Sequence, residues 1–174
     1  MNQPTFPKLY EHWLARPLFR PWAELTLDEV NLALGDRLLD IACGTGIVAR
    51  VARERLGDAG YIVGVDISPD MLAVARRVAP GIDWRQGNAA DLPLNQGEQF
   101  NIVVCQQGLQ FFPDKPAAVA QMRRALTSGA GSRCPPGARI MKSRSFESYA
   151  VSRNATSERS RIGSASQLWR RGLA

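Results

Sequence analysis

The sequence predicts an α/β fold: a parallel sheet with helices on both faces, preceded by a helical N-terminal cap and incomplete at its C-terminal strands. Three observations carry that reading. Short apolar runs alternate with helix-patterned stretches from Asp36 to Leu126. A glycine-bearing turn, Asp40-Ile41-Ala42-Cys43-Gly44-Thr45-Gly46, joins the first run to the first helix, and an acid, Asp66, ends the second run. After residue 127 the periodicity stops.

The elements follow in order. Leu9, Trp13, Leu14, Leu18, Trp22, Leu25, Val30 and Leu34 recur in a roughly helical rhythm, which Pro17 and Pro21 are expected to break into at least two helices. Pro21 is acceptable in a first turn. Residues 1–35 form this cap, and residues 36–127 the α/β domain. Within it the predicted strands are Arg37 to Ala42, Tyr61 to Asp66, Ile82 to Gln86 and Phe100 to Cys105. The predicted helices run from Ile47 to Leu56, from Pro69 to Val78 (closed by Pro80-Gly81) and from Lys115 to Leu126.

Composition narrows the function classes. The 174 residues, 45% hydrophobic, suffice for one domain with a core. No stretch nears the roughly 18–20 continuous apolar residues of a membrane span, and Met1 to Tyr10 lack the apolar run of a secretory signal. Cys43, Cys105 and Cys134 have neither disulfide nor zinc spacing, so no metal is expected and the protein reads as cytoplasmic. The net charge of +6 is unevenly placed: residues 1–127 hold 13 basic and 14 acidic residues, and residues 128–174 hold 9 and 2. Nucleic acid is therefore not an expected partner of the domain, and only the tail has a charge that would suit RNA or an acidic partner.

The turn at 40–46 carries the chemistry. Its glycines let the backbone turn sharply and approach a ligand, and the helix that follows offers unpaired N–H groups. Asp66, 20 residues past Gly46, stands where a carboxylate can accept hydrogen bonds from a ribose diol. Taken alone, Gly44-x-Gly46-x-x-Ala49 also matches a dinucleotide-binding turn. Three features argue otherwise: the charge of Asp40 inside the first strand, the motif Gly87-Asn88-Ala89-Ala90-Asp91-Leu92-Pro93, and Gln106-Gln107-Gly108-Leu109-Gln110-Phe111-Phe112-Pro113-Asp114 after the fourth strand.

On these motifs residues 10 to 127 closely resemble the class I, seven-stranded, Rossmann-like S-adenosylmethionine-dependent methyltransferases, especially the small-molecule group that includes the quinone C-methyltransferases. The resemblance implies S-adenosylmethionine as cofactor and a small-molecule acceptor. It implies that Asp40, Ala42, Cys43, Gly44, Thr45 and Gly46 lie against the methionine portion, that Asp66 binds the ribose, and that Ile67 and Met71 lie by the adenine. Asn88 and Ala89 resemble the pair that meets the adenine amino group, although many relatives carry Asp at the first position; an amide oxygen can still accept. Gln106 and Gln107 face the acceptor, and Tyr10 and Trp13 belong to a cap over the cofactor. The implied reaction is in-line methyl transfer, which needs positioning more than a dedicated acid or base, and the sequence nominates no catalytic residue.

Other residues read plainly. The lone His12 suits a helix surface, and Cys105 lacks the preceding proline of cytosine methylation. No Asn-Pro-Pro-Tyr or Asp-Pro-Pro-Tyr follows the fourth strand, which argues against amino-methylation. Residues 128–174 are Ser/Arg-rich with no aspartate, a composition expected to stay disordered or to have been read out of frame. Pro136 to Met141 faintly echoes a turn and strand, no strand is expected beyond it, and the fourth strand is expected to be an open edge. The alternative to an enzyme is a truncated, non-catalytic fragment that binds cofactor weakly or not at all.

Overall fold

The computed structural model describes residues 5–126, 139–142 and 148–152, the last two stretches as strands. Three helical segments open the chain: α1 (Phe6–Tyr10), a π-helical segment (Glu11–Phe19) and α2 (Arg20–Glu29). The alternating part follows as β1 (Arg37–Ile41), α3 (Ile47–Leu56), β2 (Tyr61–Asp66), α4 (Pro69–Val78), β3 (Asp83–Gln86), β4 (Ile102–Gln106) and α5 (Lys115–Ala125). β5 (Arg139–Lys142) and β6 (Ser148–Ser152) complete the described elements.

Strand order is β3-β2-β1-β4-β6-β5. The first four strands pair in parallel, with Leu39 of β1 opposite Val63 of β2 and Val103 of β4. Alternation along each strand sends side chains to two cores. Leu38, Ile62, Ile102 and Val104 pack with Val48, Val51 and Ala52 of α3 and Ala23 and Leu27 of α2. Leu39, Ile41, Val63, Val65 and Val103 pack with Ala118, Met122 and Ala125 of α5. Burial of β1 and β2 on both faces explains why they read as largely apolar runs, with Asp40 the buried exception.

Capping follows local chemistry. Ser68 caps α4, its Oγ accepting from the Met71 N–H at 3.3 Å, and Asp114 caps α5 by accepting from the Ala117 N–H at 2.9 Å. Gly46, the residue that caps α3, has no side chain to do so. Asp40 supplies the missing acceptor from β1, taking the Ala49 N–H at 3.3 Å.

Four expectations change. Pro17 lies within a helical segment and does not break it: the wider π turn takes the carbonyl ladder out of the register in which a proline ring clashes. Pro21 does sit in the first turn of α2. The fourth strand begins at Ile102, because Phe100 forms an isolated parallel bridge with Leu126. Beyond Met141 a further strand exists: β6 pairs antiparallel with β4 from Ile102↔Ser152 to Gln106↔Ser148, so β4 is not an open edge. Its five residues are too few to display a period, and the unpaired backbone groups of β4 supply the ladder that orders them. The rest of the expected disordered or out-of-frame tail, residues 127–138, 143–147 and 153–174, lies outside the described residues.

Candidate functional site

The strand order reverses between β1 and β4, and in open α/β sheets the crevice beyond the carboxyl ends of the strands at such a point is where ligands bind. Backbone strain gathers there. Ala42, after β1, has φ 55° and Gln107, after β4, has φ 59°, a left-handed conformation rare for residues with a side chain. Gly44 and Gly46 share it at 56° and 84°. A Cβ on Gly46 would also stand 2.2 Å from Cη2 of Trp84, whose ring packs beneath the loop.

Asp66, at the end of β2, ties the loop from the other side. Its Oδ2 accepts from the Gly44 N–H at 2.7 Å and its Oδ1 from the Ser68 N–H at 2.8 Å. Each oxygen keeps a further lone pair, so the carboxylate can hold the loop and still receive a hydroxyl. Asp40 is 1% exposed. Burial, opposed by the Ala49 N–H and reinforced by the charge of Asp66, pushes its carboxyl up to about 8. Cys43 is buried, which with the charges of Asp40 and Asp66 pushes its thiol well above the usual range.

Tyr10 closes the crevice from the cap. A Cβ on Gly44 would lie 3.9 Å from the Tyr10 hydroxyl, and the Tyr10 ring stacks on Phe19 at 5.7 Å. Burial and then the charges of Asp66, Asp40, Glu11 and Cys43 push the phenol up to about 12, so it stays a hydroxyl. The segment is fastened by the Arg50–Glu11 pair at 2.9 Å, both side chains about nine-tenths buried, and by Arg20–Glu54 and Arg55–Asp28 at 2.5 and 2.6 Å. Tyr10, Phe19, Asp40, Ala42, Cys43, Ile47, Val48, Gln106 and Gln107 line a cavity of about 20 Å³, room for roughly one water. Trp13 is not part of it: the side chain is 66% exposed and packs edge-on against His12.

The remaining sequence-nominated residues fall into three places. Thr45 is buried within the loop itself, with an Oγ1 that has no partner among the described residues. Ile67 (68% exposed), Met71 and Asn88 lie with buried Ala89 around the carboxyl ends of β2 and β3; Asn88 Oδ1 accepts from the Ala90 N–H at 2.9 Å. Gln106 is already engaged, accepting from Thr26 Oγ1 at 3.4 Å and donating through Nε2 to the Phe19 carbonyl at 3.3 Å. Sequence reasoning missed Trp84, Arg50 and Gln110. The fixed glycine offsets mark the loop, but nothing along the chain marks what packs beneath it.

A reversed strand order, a left-handed glycine loop capped by an acid from β1, and a second acid at the end of β2 define the class I, Rossmann-like, S-adenosylmethionine-dependent type of fold. The chain belongs to the methyltransferase domain family, whose model matches residues 38–129. S-adenosylmethionine is the cofactor of this family. Residues 40–46 fit it in two respects: Gly44 leaves the mouth of the loop free of a side chain, and the buried Thr45 hydroxyl lacks a partner among the described residues.

A 2-phytyl-1,4-naphtoquinone methyltransferase of Trichormus variabilis is 32% identical over 133 residues, covering 73% of this chain and 57% of the relative. A ubiquinone/menaquinone biosynthesis C-methyltransferase of Xanthomonas oryzae pv. oryzae is 36% identical over 120 residues, covering 66% and 47%. Among solved structures, the S-adenosylmethionine-bound amino pentose methyltransferase CalS10 of Micromonospora echinaspora superposes with a TM-score of 0.56 at 27% identity, covering 74% and 56%. The chain spans about half the length of the curated relatives it matches. Among the described residues no helix is long and apolar enough to cross a membrane, and no group of three or more His, Cys, Asp or Glu could hold a metal.

Proposed function

We propose that the crevice beyond β1, β2 and β4 binds S-adenosylmethionine and positions it for in-line methyl transfer to a ring carbon of a small aromatic acceptor of the hydroquinone type. The observation that supports this reading best is the Asp66 carboxylate bonded to the Gly44 N–H, which sets a ribose-binding acid against a left-handed loop. When bound, the cofactor supplies an activated methyl and its own leaving group.

The protein's share is placement. The loop from Ala42 to Gly46 and the N-terminus of α3 would hold the methionine portion, and Asp66 the ribose diol. Ile67, Met71, Asn88 and Ala89 would enclose the adenine. The half-buried ring of Tyr10, stacked on Phe19, would cover the methionine end of the crevice, where the present cavity is about 20 Å³. The relatives named for quinones suggest the acceptor class. A hydroquinone carbon beside a hydroxyl is electron-rich enough to attack, and the ring proton it loses leaves to solvent. Holding carbon and methyl in line is worth roughly 7–11 kcal/mol.

The second reading, a chain that binds cofactor weakly and does not turn over, draws on the smallness of that same cavity. Incubation with methyl-labelled S-adenosylmethionine and 1,4-naphthohydroquinone separates the two. Label on a ring carbon supports the proposal. Label on oxygen contradicts the carbon acceptor, and absence of transfer by a chain that binds cofactor supports the second reading.

A further inference from the structure

Two amide atoms, one on the crevice-lining Gln107 and one on Gln110 in the turn after it, have no partner among the described residues. Gln110 Nε2 donates to Gln107 Oε1 at 3.4 Å, so each amide spends one atom on the other. Left over are Gln107 Nε2, a donor, and Gln110 Oε1, an acceptor, both buried and unbonded. Buried polar atoms are paired in the great majority of cases, and an unpaired pair on neighbouring side chains calls for an occupant. Gln106 does not share this state, since Thr26 and the Phe19 carbonyl occupy its amide.

The setting points to the crevice. Gln107 lines it at the end of β4, in a left-handed conformation that commits its backbone, and Gln110 sits one turn on, in the 3-10 turn Leu109–Phe111. Gly108 between them cannot gain a side chain: a Cβ there would lie 2.5 Å from Ala42 Cβ and 2.8 Å from Cys105 Sγ. That contact fixes the turn against the strained end of β1, so the two amides are carried on a stiff segment beside the proposed methyl site.

We infer that the Gln107–Gln110 pair reads a hydroxyl group on the acceptor. One free donor and one free acceptor on two hydrogen-bonded amides match a hydroxyl, which accepts and donates at the same oxygen. A carbonyl or an ether offers no proton to Gln110 Oε1. The pair therefore selects the reduced, phenolic state of an aromatic acceptor over its oxidised or O-alkylated form, which is also the state whose ring carbon is nucleophilic. This inference rests on the aromatic-acceptor reading given above. An ordered water is the other occupant the pair could hold.

The test uses the full chain saturated with S-adenosylhomocysteine and two probes, 1,4-naphthohydroquinone and 1,4-dimethoxynaphthalene, followed by calorimetric titration. The wild-type chain is expected to prefer the hydroquinone by tenfold or more. Gln110→Met is expected to reduce that preference below threefold while leaving S-adenosylhomocysteine affinity within twofold, which also shows that the variant folds. If that variant does not fold, Gln107→Asn withdraws the donor and keeps a residue tolerant of the left-handed backbone, with the same expectation. Equal preference in wild type and variants overturns the assignment but leaves the aromatic-acceptor reading standing, and equal affinity of the wild-type chain for both probes assigns the pair to water. Binding of neither probe by a cofactor-competent chain overturns both readings.

Discussion

Asp40 couples the loop to pH. Its carboxyl is buried between β1 and α3, accepts one N–H, and is pushed from an ordinary 3.8 to about 8 chiefly by loss of solvent, with Asp66 adding repulsion. The folded state therefore binds a proton that the unfolded chain releases near pH 4, so this group's contribution is fully present below that pH and is lost as pH rises to about 8. Thermal melts from pH 5 to pH 8.5 are expected to show the wild-type midpoint falling by several degrees relative to Asp40→Asn, whose amide keeps the acceptor without the charge. A constant difference between the two would show that Asp40 is ionised throughout. The role of Asp40 was legible as a charge placed inside a strand; its service as the cap that Gly46 cannot provide was not, because it depends on where α3 docks.

Between elements, the unexpected feature is the ring of Trp84 on β3. It stands in register with Gly64 of β2, reaching across it to Gly46 on the loop. A Cβ on Gly64 would lie 2.3 Å from Trp84 Cζ3 and 3.2 Å from Cys43 Sγ, which is why a glycine occupies the middle of a buried strand. Gly64→Ala is expected to destabilise the chain by about 1–3 kcal/mol through overpacking. In denaturant titrations that loss should shrink when Trp84→Leu is already present; equal losses in both backgrounds would place the strain elsewhere. Strand and helix positions in this region were legible almost to the residue, since β1, β2, α3 and α4 each carry their period and their punctuation locally. The Trp84 contact was not, because a short strand of four residues gives no sign of which neighbour its ring will cover.

On the scale of the whole molecule, the parallel half of the sheet was readable, and of the antiparallel half only the faint echo at Pro136 to Met141, where β5 lies. β6 lies between β4 and β5, with Val151 opposite Val103 on one side and Ile140 on the other. A proline at 151 removes an N–H from a strand paired on both sides. Val151→Pro is expected to cost about 2–4 kcal/mol, the net bond plus its stranded partner, and to promote aggregation along the exposed edge of β4. An unchanged melting point would mean that the strand contributes nothing to the fold. The central claim is that Asp66 joins the loop to a bound ribose, and the most direct measurement is calorimetric titration with S-adenosylhomocysteine and its 3′-deoxy analogue, on the wild-type chain and on Asp66→Ala. Loss of the hydroxyl is expected to weaken wild-type binding tenfold or so, about 1.4 kcal/mol, and to change binding by Asp66→Ala by less than threefold. An equal penalty in both chains, or no binding of S-adenosylhomocysteine by the folded wild-type chain, would contradict it.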